Sequence, residues 1–335
     1  MKSLYFTFDY ELYMGNKTGS VEKCLIIPTQ QLMKVFEKYG VEGTFFVDCA
    51  YLYQLNKIKD LYPQLQKDFI DVSTNLRWLV SKNQDIQMHF HPQWLYSDYD
   101  GEEWKLDFKH YKLSDVEPTL LQESFCKGRL LLEEIIGKDI CAYRAGGYCL
   151  SDYNSFPELF RQNHIVIDSS VVPGKSVSDG SVYYDYSTVP QKEKWNISND
   201  IATEDKDGEF LEVPVTLQTN GKFVYFRHKL REMFNKTINT KIWGDGQNIF
   251  MRNNRKNLLD SILDRIRWIF TPSTSICSID GYTSAYLPSL LQQKTNLALL
   301  VSHPKCLSSE SIFYLEKFLQ KYSKDIKCQG ISKLL

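Results

Sequence analysis

The sequence has no Cys-x-x-Cys pair, no run of charge of one sign and no apolar stretch long enough to cross a bilayer. Each absence excludes something. The eight cysteines, at 24, 49, 126, 141, 149, 277, 306 and 328, are scattered, and Cys49 and Cys141 fall in apolar strand-like runs. Free buried thiols in a reducing compartment are expected, not a disulfide framework or a zinc ribbon. Lysine and arginine total 40 against 41 aspartates and glutamates. A nucleic-acid partner, which needs a concentrated positive footprint to neutralise phosphates, is therefore not expected. Without a long apolar run there is no helical membrane span. The run Met1-Lys2-Ser3-Leu4-Tyr5-Phe6-Thr7-Phe8-Asp9 enters a strand at once and leaves no room for a signal peptide, so a cytoplasmic location is expected.

A chain of 335 residues makes one large α/β barrel or two smaller domains. Its 21 tyrosines, 19 phenylalanines and 6 tryptophans fill a core first, though exposed ones also stack on sugar rings. Strands are predicted at Leu4–Phe8, Gly43–Val47, 85–90, Ile140–Tyr143, Ile165–Ile167 and Leu297–Val301. Helices are predicted over Ile27–Tyr39, Pro63–Ser81, Ser114–Gly137, Ser151–Gln162, Asn253–Trp268 and Ser308–Tyr322. Strand and helix alternate at a spacing of about forty residues, which implies parallel strands with crossover helices. Between 171 and 250 the rhythm breaks into turn signals and aromatics, with one strand-like stretch, Phe210 to Leu217. This is expected to be a loop insert decorating a single barrel domain of residues 1–335.

The chemistry gathers at the strand ends. In Met88-His89-Phe90-His91-Pro92-Gln93-Trp94, the two histidines are two apart on a strand and share a face. Pro92 then ends the ladder, because it has no N–H to donate. Two imidazoles side by side where a strand becomes a loop suit a metal site. The other predicted strands end in Asp9-Tyr10-Glu11, Arg144-Ala145-Gly146-Gly147-Tyr148, Asp168-Ser169-Ser170 and Ser302-His303-Pro304. In barrels and open α/β sheets the functional residues sit at the C-terminal ends of the strands. Each alone has an ordinary explanation: Asp9 as a helix cap, Arg144 in an ion pair, His303 as a core histidine. Five on one mouth point to a shared pocket.

In this order the five motifs resemble the polysaccharide deacetylase superfamily, with its NodB homology domain (carbohydrate esterase family 4), over about residues 1–215 and 295–325. The resemblance implies a distorted (β/α)7 barrel and a divalent metal, most often zinc, that hydrolyses an N-acyl group from an amino sugar. The family's first motif has adjacent aspartates; here Tyr10 follows Asp9 and an acid returns at Glu11. That suggests Asp9 as base and Glu11 as metal ligand. The family's second motif has histidines four apart; here Gln93 stands four after His89. Either His91, as in a His-x-His-Pro subgroup, or Gln93 completes a ligand set of Glu11 and His89.

The residue types then imply the remaining roles. Asp9 takes a proton from water, held ionised by Arg144. His303 protonates the departing amine, oriented by Asp168. A backbone N–H of the loop after Arg144 helps hold the oxyanion, and Gly146 in that loop is a candidate substrate contact. Trp94, Tyr148, Trp195 and Trp243 are candidates for stacking on a sugar, although packing explains any one of them. Lys222 and Arg227-His228-Lys229 suit a phosphate or, more simply, a solvated basic patch. The expected substrate is an N-acylated sugar or glycan intermediate. A deformylase or other amidohydrolase, and an inactive glycan-binding barrel, are the alternatives.

Overall fold

Leu4, Tyr5, Phe6 and Phe8 are all buried, although neighbours on a strand face opposite ways. A strand apolar on both faces has to be covered on both, and Lys2–Tyr10 lies inside the sheet, between Thr44–Asp48 and Leu297–Ser302. The computed structural model describes residues 1–180, 182–220, 239–248 and 273–335. Among these, seven parallel strands run side by side: Phe210–Glu212, Ile167–Asp168, Ala142–Ala145, Asp85–Phe90, Thr44–Asp48, Lys2–Tyr10 and Leu297–Ser302. Trp195–Ile197 adds an antiparallel strand outside Phe210–Glu212. Ile326–Cys328 pairs with the first residues of Lys2–Tyr10.

The sheet curls, and its edges are joined by single backbone bonds instead of a ladder. Val215 N–H donates to Val171 O and Thr216 N–H to Leu299 O, each at 2.9 Å. Cys277 N–H donates to Thr216 O, and Val301 N–H to Cys277 O, again at 2.9 Å. The distorted (β/α)7 barrel expected from the sequence is the fold observed.

Most helices fall where the apolar spacing places them. Pro63–Ser81 matches its expected bounds. Ile27–Tyr39 ends at Gly40, whose φ of 65° suits glycine. Ser309–Tyr322 is capped by the Ser308 hydroxyl, which accepts from Ser311 N–H. A helix that the sequence reading lacked, Cys49–Ile58, starts directly at the second strand's end. The helix expected from Ser151 begins only at Phe156. Ser151 Oγ instead accepts from Asp185 N–H, and Asp152 takes Lys112 Nζ at 2.6 Å. The stretch expected as one strand from Phe210 to Leu217 breaks into Phe210–Glu212 and Leu217–Asn220. Pro214 between them offers no N–H to a ladder. The expected helix at 253–268 and the basic residues 222 and 227–229 lie outside the described residues. All eight cysteines are unpaired.

Candidate active site

Strand register decides which side chains meet. Asp48 is level with His89, and His89 with Arg144. Asp9 is level with Phe46, two before Asp48. Residues level with one another, or two apart on a strand, share a face. Asp9, Glu11, Asp48, His89, His91 and Arg144 are therefore set on one face, the inside of the barrel. Tyr10, facing the other way, gives its hydroxyl to Asn75 Oδ1. His303, one past Ser302, is level with Asp9 because Ser302 pairs with Phe8.

Arg144 is fully buried and Asp9 nearly so, and they meet at 2.6 Å through Nη1 and Oδ1. The rest of the guanidinium is held by Ser169, through its carbonyl at 3.0 Å and hydroxyl at 3.1 Å, with the Phe46 ring beneath. Burial pushes the Asp9 carboxyl up, but Arg144, with His89 and His303, outweighs it and leaves it below its ordinary value.

Glu11 Oε2 lies 3.1 Å from both His89 Nε2 and His91 Nδ1. Its other oxygen takes Lys305 Nζ at 2.7 Å. Burial raises Glu11, and Lys305 with the two histidines more than reverses it, to well below the carboxylate range. His89 Nδ1–H donates to the Arg144 carbonyl at 2.7 Å. In the neutral ring this leaves the Nε2 lone pair aimed at a carboxylate oxygen. Two acceptors facing each other at that distance require a proton or a cation between them. Without a cation, burial lowers His89, yet Asp9 and Glu11 drive it up to about 9.

Asp48 accepts the His91 backbone N–H at 3.2 Å, and its other oxygen lies 3.1 Å from His91 Nδ1, the nitrogen that also faces Glu11. The His91 ring packs against Gly146, where a Cβ would stand 2.5 Å from His91 Cδ2. Glu11, His89 and His91 each offer one ligand atom, and these atoms lie within 4.8 Å of one another. One carboxylate and two imidazoles suit a zinc-type ion with an open position. Gln93 is buried, and among the described residues its amide has no hydrogen-bond partner. It does not line the cavity.

Two expected roles need correction. Trp94 is fully buried, with its indole N–H on Asp48 Oδ2 at 2.8 Å and its ring against Tyr51 and Trp104. It supports the carboxylate behind His91 and presents no face to a sugar. Asp168 does not reach His303. It is level with Tyr143, the neighbour of Arg144, and so belongs to the other face of the sheet. There it accepts Ser170 N–H and Oγ–H and faces Glu212. The carboxylate on His303 is Asp280, which takes Nδ1 and the backbone N–H, each at 2.9 Å. Burial lowers His303, and Asp280, with Asp9 and Glu11, raises it above its ordinary value.

His303 Nε2 stands 3.7 Å from Asp9 Oδ2, across a cavity of about 180 Å³ that Tyr148, Gly147, Tyr111 and Lys305 also line. Tyr148 holds a positive φ of 63°, which a bulky side chain adopts only when its surroundings insist. Tyr186 Oη–H bonds its carbonyl at 2.8 Å. Gly146 is buried against His91, outside the cavity lining. Trp195 is buried and Trp243 half-buried, neither on this cavity. Asp48, Asp280 and Lys305 were absent from the sequence reading.

No family model matches the chain, and no curated protein matches it by sequence. Solved structures do. A Mycobacterium smegmatis protein assigned to the polysaccharide deacetylases superposes with a TM-score of 0.50 at 13% identity, over 99% of this chain and 88% of its own. The fold is that of the polysaccharide deacetylases. The peptidoglycan deacetylase PdaC of Bacillus subtilis superposes at TM-score 0.38 and 11% identity, over 99% of this chain and 89% of its own. BA3943 of Bacillus anthracis, a family 4 pseudoenzyme, superposes at 0.39 and 10%, over 99% and 65%. The latter two align too loosely for any residue to be transferred from them. No helix among the described residues of this deacetylase-like barrel is long and apolar enough to cross a membrane.

Proposed function

We propose that the chain is a metal-dependent hydrolase that removes an N-acyl group from an amino sugar or glycan intermediate. The observation that carries this reading is the meeting of Glu11 Oε2 with two imidazole nitrogens at 3.1 Å, beside an Arg144-paired Asp9 and an Asp280-paired His303. Glu11, His89 and His91 are the residues that would hold the ion, with zinc the best match to the donors. When bound, such an ion acidifies water and polarises the amide carbonyl.

The chain's own residues do the rest. Asp9, kept ionised by Arg144, accepts the water's proton. Arg144 is locked by Ser169, so Asp9 cannot swing away from the cavity. His303 delivers a proton to the departing nitrogen, a poor leaving group unless protonated, and Asp280 keeps Nδ1 occupied so that Nε2 faces the cavity. Gly147 and Tyr148 line the cavity, and their backbone N–H groups serve as donors for the oxyanion. At about 180 Å³ the cavity is smaller than sites that enclose a whole ligand. It suits a formyl or acetyl group entering from a sugar that stays outside, with Tyr148 at the rim.

Free-amine release from a panel of N-acetyl and N-formyl sugars, with zinc-replete protein, tests this reading. Activity is expected on at least one member, falling about 10³-fold in Asp9→Asn. No cleavage across the panel would favour a second reading, a glycan-binding barrel without a resident ion. One observation supports that alternative: Lys305 already places an ammonium on Glu11 at 2.7 Å.

A further inference from the structure

We propose a second cation site, built from Asp280, His303 and Cys306, that takes a thiophilic divalent ion of the zinc and cadmium class. Pro304–Cys306 forms a single 3-10 turn directly after His303, and Cys306 N–H donates to His303 O at 2.9 Å. At three residues per turn, side chains three apart eclipse, so the His303 imidazole and the Cys306 thiol emerge together. Asp280 arrives from the loop after Ser273–Ile276 and is fixed by the His303 backbone N–H and by its own N–H on Ser278 Oγ. One sulfur, one nitrogen and one oxygen donor lie within 4.8 Å of one another. Three protein ligands leave a fourth position for water, and the sulfur selects against magnesium and calcium.

The site shares no residue with Glu11, His89 and His91, and its setting differs. His303 and Asp280 side chains are 27% and 24% exposed, against 1% to 7% for the deep cluster. The outer site is therefore the more open of the two to solvent. Binding replaces the proton between Asp280 and His303 and releases the Cys306 thiol proton to solvent. It also ties up the imidazole, so excess zinc inhibits hydrolysis. That last consequence alone rests on the proposed role of His303.

Cobalt titration of metal-depleted, full-length protein tests the site. A thiolate ligand gives a near-ultraviolet charge-transfer band with cobalt, and the Glu11 cluster contains no sulfur. The band is expected to appear on cobalt addition, to vanish on a zinc chase, and to be absent in Cys306→Ser. Should Cys306→Ser fail the circular-dichroism check for folding, Asp280→Asn substitutes for it, with at least a tenfold weaker titration of the band expected. Absence of the band in the native protein, or an undiminished band in the variant, overturns the proposal. The readout involves no amide substrate, so its failure is distinct from failure of the hydrolase reading.

Discussion

The two walls of the cavity are built differently. His89 comes from the middle of the parallel sheet, with backbone partners on both sides, and is 1% exposed. His303 stands just past a strand end, on a loop facing another loop, and its side chain is 27% exposed. Each histidine has Nδ1 fixed and Nε2 turned inward. The fixing groups differ: a backbone carbonyl for His89 and a carboxylate for His303. A carbonyl sets a tautomer without adding charge, which suits a ligand that must stay neutral. A carboxylate favours the imidazolium, which suits a proton carrier. Burial excludes water from the first wall, while exposure lets the second exchange protons with solvent.

The contrast breaks most visibly through the metal. Replacing His89 or His91 by alanine is expected to weaken zinc binding by about 100-fold or more, since loss of a supporting partner alone typically weakens it 10–100-fold. Zinc content equal to wild type after chelator-free purification would dissolve the distinction between the walls. On the open wall, Asp280→Asn is expected to lower kcat about 10²-fold with little change in KM. Because Asp280 raises His303, its loss also moves the alkaline limb of the rate profile to lower pH. An unmoved limb would show that Asp280 only packs the loop.

The smallest effect lies behind the sheet. Among the described residues no hydrogen-bond donor reaches Glu212 Oε2, and its partner there is the Asp168 carboxyl, so one proton belongs between them. Burial, then Asp168, raises Glu212 well above its ordinary 4.5. A folded state that binds more protons than the unfolded one loses stability as pH rises. The loss begins above that ordinary value and continues until the raised one is passed, at no more than about 1.4 kcal/mol per pH unit. Glu212→Gln retains a donor in place of the proton, so urea midpoints measured across this window are expected to flatten. The same slope in variant and wild type would place the titration elsewhere.

Strand-end logic carried the sequence reading a long way, and its omissions are instructive. Asp9, Glu11, His89, His91, Arg144 and His303 all line or back one cavity because register and two-residue periodicity leave them no other face. Asp48 obeys the same rule, one residue beyond Val47, where the sequence pattern ends the strand. Asp168 was placed by the rule at a strand end, but the rule does not say which face, and a one-residue step in register turned it away. Asp280 has no such signal. It meets His303 across 23 residues of chain, through loops whose geometry no apolar period encodes. Trp94 misled because an indole between a loop and a carboxylate has the same local sequence as one facing a sugar.

The pairing of Lys2–Tyr10 has a consequence for how the chain is made. Lys2–Tyr10 rests on Thr44–Asp48 along part of one side, but its other partners, Leu297–Ser302 and Ile326–Cys328, come 294 and 324 residues later. During synthesis this apolar strand leaves the ribosome long before those partners and waits with an open edge until residues 297–328 follow. Such long-range closure slows folding and prolongs exposure to aggregation. A nascent chain halted before residue 297 is thus the form most in need of a chaperone.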